Sequence, residues 1–337
     1  MSRGAEPGRP TISINVCTYN AGELLAKALD CMVRQETGGE FSLEIVVIDD
    51  GSTDGAAEGV AEIAATSRVP IRYCSAGGKG VSHARNTGAA ESRGEWIAWF
   101  DQDQLAEPTW LKDMWSTARE TGADLVDGPR DLLLTDGQRA GLSDFCRACL
   151  GEISDGDTVH EHVRRHGSCT GNALIKKEVF DAVGGFDESI LDGWEDWDYV
   201  RRLRAKGFAC WYSPKALVHH VVSPDRLDQG FFKWHATRVG AAFASRDLRE
   251  WGLPKTLLAC FAKMGQALFV NAPLLAWAWF MREKKEQLTR ICLLLRAVSY
   301  ARKTLFFVSP RLFPQEGFHA RVQLRNEPRF NRNNEDR

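Results

Sequence analysis

The sequence predicts an α/β protein: a mostly parallel sheet with helices on both faces, plus a C-terminal helical extension. Three observations predict it. Apolar runs of strand length alternate with stretches of helical spacing from residue 12 to residue 100. Runs such as Ile45-Val46-Val47-Ile48 are continuously apolar, as in strands buried on both faces. From 228 to 307 the pattern is helical throughout, rich in Leu, Phe, Trp and Ala.

The elements follow in order. Residues 1–9 are polar, rich in Gly and Pro, and expected to be a loose tail with no secretory signal. Ile12-Ser13-Ile14-Asn15-Val16 alternates as a strand does. Leu24, Leu25, Ala28, Leu29 and Met32 space a helix over 23–34. A strand over 44–48 precedes a helix over 55–67. A strand over 71–74 precedes a helix over 81–92. Trp96-Ile97-Ala98-Trp99-Phe100 is a fourth strand. Residues 105–165 are less regular. Helices are expected over 177–183 and 195–206, with a short strand over 209–212. The expected domains are 10–225, divided at 103/104, then a helical region over 226–313 and a polar tail over 314–337 that frays.

The 337 residues suit one large domain with appendages, or two domains. A net charge of −2 gives no broad electrostatic footprint for nucleic acid. The nine cysteines are irregularly spaced and read as reduced, mostly buried thiols of a cytoplasmic protein.

Ligands of open α/β sheets bind outside the carboxyl ends of the strands. Three expected strand ends carry polar clusters: Thr18-Tyr19-Asn20, Asp49-Asp50 and Asp101-Gln102-Asp103. Two carboxylates one residue apart can face one small volume, and hard divalent cations bind through few carboxylates plus substrate phosphates. A solvated acidic turn explains a lone Asp-x-Asp equally well. Asp50 can accept from a base N–H or ribose hydroxyls, whereas Ser52 and Asp54 read as caps. Gly77-Gly78-Lys79-Gly80, before a helix, lets backbone approach a phosphate, or is simply a turn.

Val16-Cys17-Thr18-Tyr19-Asn20, Val47-Ile48-Asp49-Asp50-Gly51-Ser52-Thr53-Asp54, Ala84-Arg85-Asn86-Thr87-Gly88 and Phe100-Asp101-Gln102-Asp103 resemble, in order, the motifs of family 2 glycosyltransferases. Thr170-Gly171-Asn172-Ala173-Leu174-Ile175, Gly184-Gly185-Phe186-Asp187-Glu188 and Gly193-Trp194-Glu195-Asp196-Trp197-Asp198 resemble that family's acceptor half. The resemblance spans about residues 10–222. Cys17 departs from it, standing where the family usually has Pro or another residue.

The resemblance implies a GT-A (Rossmann-like) fold and an inverting transfer from a nucleotide diphosphate sugar. It places Tyr19 and Asp50 at the base, with Thr18 and Asn20 beside them, and Arg85 near the donor. Asp101 would lie near ribose and metal, Asp103 would bind Mn2+ or Mg2+, and the Glu195-Asp196 pair would hold the catalytic base at Asp196. Both acids would also suit a helix dipole. Trp194 and Asn172 are expected on the acceptor side, although Trp194 suits a core equally. A histidine after Pro214-Lys215-Ala216 would complete the metal site, and spacing favours His220 over His219. The acceptor is a glycan or a lipid-linked hydroxyl. UDP-sugar is the favoured donor, because a carboxylate can accept from the ring N–H of uracil, thymine or guanine, and adenine offers none.

Two other function classes remain beside the transferase. A sugar nucleotidyltransferase would carry a Gly-rich loop where Thr18-Tyr19-Asn20 stands, and a non-catalytic member would have lost acids such as Asp50 and Asp103. A competing pattern is Cys146-x2-Cys149 with His162-x3-His166, which has zinc-site spacing, although the cysteines also fit the buried face of a helix over 142–150. Finally, 264–281 carries no charge, at the lower limit for a spanning helix. Gln266, Asn271 and Pro273 interrupt it, Trp277 and Trp279 suit an interface, and Arg282, Lys284 and Lys285 suit anionic lipid. Arg290, Arg296, Arg302 and Lys303 punctuate the next helix as if it lay on a surface. An interfacial segment at the inner face of the cell membrane, soluble packing and a true span all stay open.

Overall fold

The computed structural model describes residues 10–162, 170–191 and 193–314. The expectations for residues 1–9, for the tail from 315 and for His166 lie outside the described residues. Contacts divide the chain into two compact units. The first runs to Leu133 and adds Glu152–Ile190 and Glu195–Val221. The second comprises Leu134–Gly151, Leu191–Trp194 and the chain from Val222.

The elements of the first unit begin with β1 (Ile12–Thr18), α1 (Glu23–Val33), β2 (Leu43–Asp49), α2 (Ala56–Thr66), β3 (Ile71–Ser75), α3 (Val81–Glu91) and β4 (Trp96–Asp101). Every residue of β2 is buried, as its apolar run requires. In α1 the buried Leu25, Ala28, Leu29 and Met32 form one stripe against the sheet. Next come β5 (Gln104–Ala106), α4 (Trp110–Thr121), β6 (Leu125–Asp127) and β7 (Arg130–Leu133). Two short helices of the second unit intervene: α5 (Asp136–Gly141), closed by a Thr135/Gln138 capping box, and α6 (Asp144–Cys149). The first unit then resumes with β8 (His160–Glu161), β9 (Asn172–Lys176), α7 (Lys177–Val183), α8 (Glu195–Ala205), β10 (Cys210–Tyr212) and β11 (Val218–Val221).

Eight strands form one sheet in the order β3-β2-β1-β4-β9-β6-β10-β8. Its first half is parallel, as expected. Its second half is mixed, because β9 runs antiparallel to both β4 and β6. A fully buried run such as Asn172-Ala173-Leu174-Ile175 carries no signal for strand direction, so the sequence left this reversal unread. The irregular stretch 105–165 holds several elements. Three-residue strands such as β5 and β6 are too short to show alternation, but Trp110, Leu111, Met114, Trp115 and Ala118 of α4 are spaced as a helix and all buried. A smaller sheet, β5-β11-β7, completes the unit.

The second unit contains α9 (Gln229–Gln266), a π-turn (Ala267–Asn271), α10 (Ala272–Phe280) and α11 (Lys284–Val308). α9 breaks where Gly252 takes φ 72°, just before Pro254. α11 packs along α9. The Tyr300 hydroxyl donates to the fully buried Asp247 at 2.8 Å, Arg246 pairs with that carboxylate at 2.7 Å, and Ser299 Oγ donates to the Thr237 carbonyl at 2.6 Å. This corrects the expectation of a surface-lying α11. Three of the four basic residues named for it serve packing, since Arg290 binds Glu286 and donates to Asn271, Arg296 lies over the Phe145 ring and Lys303 is buried, whereas Arg302 is exposed.

Candidate active site

Three parallel strands end together. Thr18 of β1 stands beside Asp49 of β2, and Cys17 beside Asp101 of β4. Parallel direction brings all three carboxyl ends to one edge, so the polar clusters meet there.

Hydrogen bonds pin the loops at that edge to one another. The Asn20 N–H donates to Ser52 Oγ at 2.9 Å, and the Thr53 N–H donates to Asn20 Oδ1 at 2.8 Å. Asn20 takes φ 47°, a left-handed conformation that Asn tolerates better than most residues. The Gly22 N–H donates to Asp54 at 2.8 Å. Across the other side, the Tyr19 N–H donates to Gln102 Oε1 at 2.8 Å. Tyr19 thus rides on a doubly anchored loop and is 43% exposed. Gln102, the unremarked middle residue of the Asp-x-Asp turn, is the tie.

Asp49 and Asp50 divide their work. Asp49 accepts from the Ser52 N–H and hydroxyl and from the Tyr73 hydroxyl. Burial pushes its carboxyl up, and these bonds outweigh burial and hold it below the usual range. Asp50 accepts from the Gly80 N–H through both oxygens, at 3.0 and 3.1 Å. The glycine turn closes directly onto it, and a Cβ on Gly51 (φ 87°) would stand 3.2 Å from Gly78 Cα. The sequence left open whether this turn meets a phosphate or is simply a turn, and in the structure the Gly80 N–H points at Asp50.

Asp101 is the hub between the two halves of the sheet. Arg85 of α3 approaches it at 3.8 Å, Arg130 of β7 at 4.0 Å, and Gln104 Nε2 donates to it at 3.3 Å. A side chain at Gly171 would displace the Asp101 carboxylate, since its Cβ would fall 2.0 Å from Asp101 Oδ2. Burial and the neighbouring Asp103 raise the Asp101 carboxyl against the pull of the two arginines. Arg85 also donates to Glu195 at 2.8 Å and lies over the Phe186 ring. It therefore ties the first turn of α8 to the end of β4. Asn86 fixes the adjacent loop, donating to the Phe186 carbonyl and accepting the Phe186 N–H at 2.7 Å.

β11 runs antiparallel beside β5 and sets His220 opposite Gln104. His220 Nε2 lies 3.1 Å from Asp103 Oδ2, and the Val221 N–H donates to the Asp103 carbonyl at 2.8 Å. Strand alternation sends His219 the other way, to Glu107 at 2.8 Å. The structure thus brings His220, and not His219, to the Asp-x-Asp turn.

Glu195 and Asp196 open α8. Glu195 is buried and its Oε1 is engaged by Arg85. Asp196 keeps part of its surface open. Burial, then the Glu195 charge, push the Asp196 carboxyl up to about 6 against the opposing pull of Arg85.

Two expected acceptor residues are corrected. Asn172 is fully buried: its amide donates to the Pro129 and Ala216 carbonyls and accepts from Trp110 at 2.6 Å. It braces the sheets, and no acceptor reaches it. Trp194 is buried in the second unit, and Arg249 occupies its ring face. Neither of the proposed zinc cysteines joins a metal-competent cluster among the described residues. Cys146 is a buried thiol of α6, while His162 pairs with Asp127. Arg130 and Gln104 are residues around Asp101 that the sequence did not reveal, and Gly171 stood in a motif without a role assigned to it.

The site carries buried polar atoms that protein groups leave unmet. Thr18 Oγ1, Gln104 Oε1, Thr170 Oγ1 and Glu195 Oε2 are buried without a partner among the described residues. Native proteins leave few such groups, and these are atoms that a polar ligand at this edge would satisfy. Asp103, Asp101 and His220 form a carboxylate and imidazole set that suits a divalent ion such as Mn2+. They do not close a three-ligand cage by themselves, as expected where substrate oxygens finish the coordination.

The chain belongs to glycosyl transferase family 2, whose model matches residues 13–184, and it is a glycosyltransferase. Glycosyltransferase AglE of Haloferax volcanii is 24% identical over 313 residues, 84% of this chain and 96% of that protein. Succinoglycan biosynthesis protein ExoM of Rhizobium meliloti is 28% identical over 232 residues, 68% of this chain and 72% of that one. Among solved structures, the mannosyltransferase PcManGT of Pyrobaculum calidifontis, in complex with GDP-Man and Mn2+, superposes with a TM-score of 0.60 at 19% identity. It covers 89% of this chain and 88% of that one. The shared architecture is the GT-A fold.

Proposed function

We propose that the chain is an inverting glycosyltransferase that takes a sugar from a nucleoside diphosphate donor, with UDP-sugar favoured, and joins it to a glycan or lipid-linked hydroxyl. The observation that carries this reading is the division of labour between Glu195 and Asp196. Glu195 is committed to Arg85, whereas Asp196 is partly open with a carboxyl near 6. A base near the operating pH can take a proton from an acceptor hydroxyl and still be regenerated. The acceptor oxygen then bonds to the anomeric carbon, the bond from that carbon to the diphosphate breaks, and the acceptor proton ends on Asp196. Arrival opposite the leaving group inverts the anomeric centre.

Asp103, Asp101 and His220 would hold a divalent cation, which when bound offsets charge on the departing diphosphate. This agrees with the Mn2+ in the PcManGT complex. Tyr19 offers a face to the base, and Asp50 accepts from its ring N–H. The PcManGT donor carries guanine, which also has such an N–H. Released nucleoside diphosphate, measured with UDP-, GDP-, dTDP- and ADP-sugars in Mn2+, tests this. UDP-sugar should be turned over best and ADP-sugar least. Equal turnover of ADP- and UDP-sugars would remove the role given to Asp50.

The second unit supports contact with a membrane. The helix Gln229–Phe280 contains a stretch long and apolar enough to cross a bilayer, and only 11% of that stretch is buried. Phe261, Leu268, Phe269, Trp277, Trp279 and Phe280 are all exposed. Of the polar groups in and beside this stretch, Asn271 is buried against Arg290 and Lys263 lies over the Tyr300 ring at 4.9 Å, while Gln266 stays exposed. An apolar face of this extent marks an interaction surface. Exposed Arg282 and Lys284 follow it and suit anionic headgroups. The reading is an interfacial segment at the inner face of the membrane, where a lipid-linked acceptor is found. Full-length protein should float with anionic liposomes, and Phe269→Ser/Trp279→Ser should lower the bound fraction at least about tenfold. Protein that stays unbound and soluble without detergent would make these helices purely structural.

A further inference from the structure

The pair His160-x-His162 lies at the far edge of the large sheet, on β8 and just beyond it, where β8 pairs antiparallel with β10. Residues two apart on a strand share a face. Asp155, from the preceding loop, completes a group whose three ligand atoms all lie within 4.8 Å of one another. Asp155 Oδ2 stands 3.1 Å from His160 Nε2 and 3.3 Å from His162 Nδ1. Two ligands about 2.0–2.2 Å from a tetrahedral Zn2+ stand about 3.3–3.5 Å apart.

The far nitrogens determine what the near ones can do. His160 Nδ1 lies 2.9 Å from the Thr158 carbonyl, and His162 Nε2 lies 2.7 Å from Asp127 Oδ1. A carbonyl and a carboxylate only accept hydrogen bonds. In the neutral rings the far nitrogens therefore carry the protons. Two lone pairs then face the Asp155 carboxylate, an arrangement of three acceptors that either a second proton on the rings or a metal ion resolves. Outer hydrogen bonds of this kind orient metal-binding histidines. A separate observation falls at the same place. Tyr212 is 1% exposed, its hydroxyl has no partner among the described residues, and its ring lies 5.2 Å from His160 and 5.9 Å from His162.

We propose that Asp155, His160 and His162 form a second metal site, selective for Zn2+, distinct from the Asp101/Asp103/His220 set. Two imidazoles and one carboxylate favour Zn2+ over Mg2+ or Mn2+, which prefer more oxygen ligands. The site would tie the loop carrying Asp155 to β8 and, through Asp127, to β6. Half-exposed Asp155 leaves the remaining position to water.

The test uses full-length protein without a histidine tag, stripped with chelator, loaded with Zn2+ at neutral pH and dialysed. Metal content should be one Zn2+ per chain in the parent and in Asp103→Ala/His220→Ala. His160→Ala and Asp155→Ala alter exposed or half-exposed side chains, and each should lose the ion while circular dichroism shows the fold intact. Asp127→Asn should weaken binding about 10- to 100-fold. Co2+ in place of Zn2+ should give the visible bands of a low-coordinate nitrogen and oxygen site in the parent and lose them in His160→Ala. A parent that retains no Zn2+, or retention that survives both His160→Ala and Asp155→Ala, overturns the proposal. Loss of the ion in Asp103→Ala/His220→Ala also overturns it, because the zinc then sits at the other site.

Discussion

Asp196→Asn is expected to slow sugar transfer by about 10²–10⁴-fold, the usual worth of a positioned general base, while leaving donor affinity close to that of the parent. The amide keeps the shape of the carboxylate and cannot take the acceptor proton. Steady-state transfer and calorimetric titration of UDP with Mn2+ read the two quantities separately. Glu195→Gln should behave differently, because Glu195 is engaged by Arg85 at 2.8 Å and Arg85 reaches on towards Asp101. Its loss should disturb donor binding and rate together. Near-parental turnover by Asp196→Asn would remove the base assignment.

Asp103→Ala is expected to abolish the Mn2+-dependent part of donor affinity and to reduce transfer by roughly 10²–10³-fold, the scale of losing one preorganised electrostatic contact to developing charge. His220 sits 3.1 Å from that carboxylate, so His220→Ala should show the same pattern in weaker form. Titration of UDP with and without Mn2+ separates the effect from simple unfolding. In the parent the metal should tighten binding strongly, and in Asp103→Ala it should make little difference. Unchanged metal dependence in Asp103→Ala would place the ion elsewhere.

The polar clusters at the strand ends were legible because their signals are local. An apolar run followed at once by Asp49-Asp50 or by Asp101-Gln102-Asp103 marks a buried strand and the site at its end. The choice of His220 over His219 rested on spacing, and β11 delivers it by simple alternation. What stayed hidden depends on partners distant in sequence. The reversed direction of β9 leaves no trace in a buried apolar run. Asn172 belongs to a motif and looked functional, but its amide is saturated by Trp110, Pro129 and Ala216. Arg130 carries no local mark and matters only because β7 faces Asp101. Gly171 is required by a carboxylate 70 positions earlier. The zinc-like spacing of Cys146-x2-Cys149 and His162-x3-His166 stood beside a buried helix face, and the helix face is what holds for Cys146, a buried thiol of α6, while His162 pairs with Asp127 of β6 and with Asp155. In the second unit, composition identified an apolar segment correctly. The inward turn of Lys263, Asn271 and Arg296 could be seen only once α9 and α11 were packed together.

The pH dependence of transfer at saturating donor and Mn2+ tests the central claim most directly. The active form of Asp196 is its carboxylate, and burial with the Glu195 charge raises its carboxyl to about 6. The rate should therefore be flat at neutral pH, bend near pH 6, and fall about tenfold per pH unit below that. Glu195→Gln removes the neighbouring negative charge and should move the bend to lower pH. A parental profile that stays flat down to about pH 4, where an ordinary aspartate titrates, would contradict Asp196 as the base.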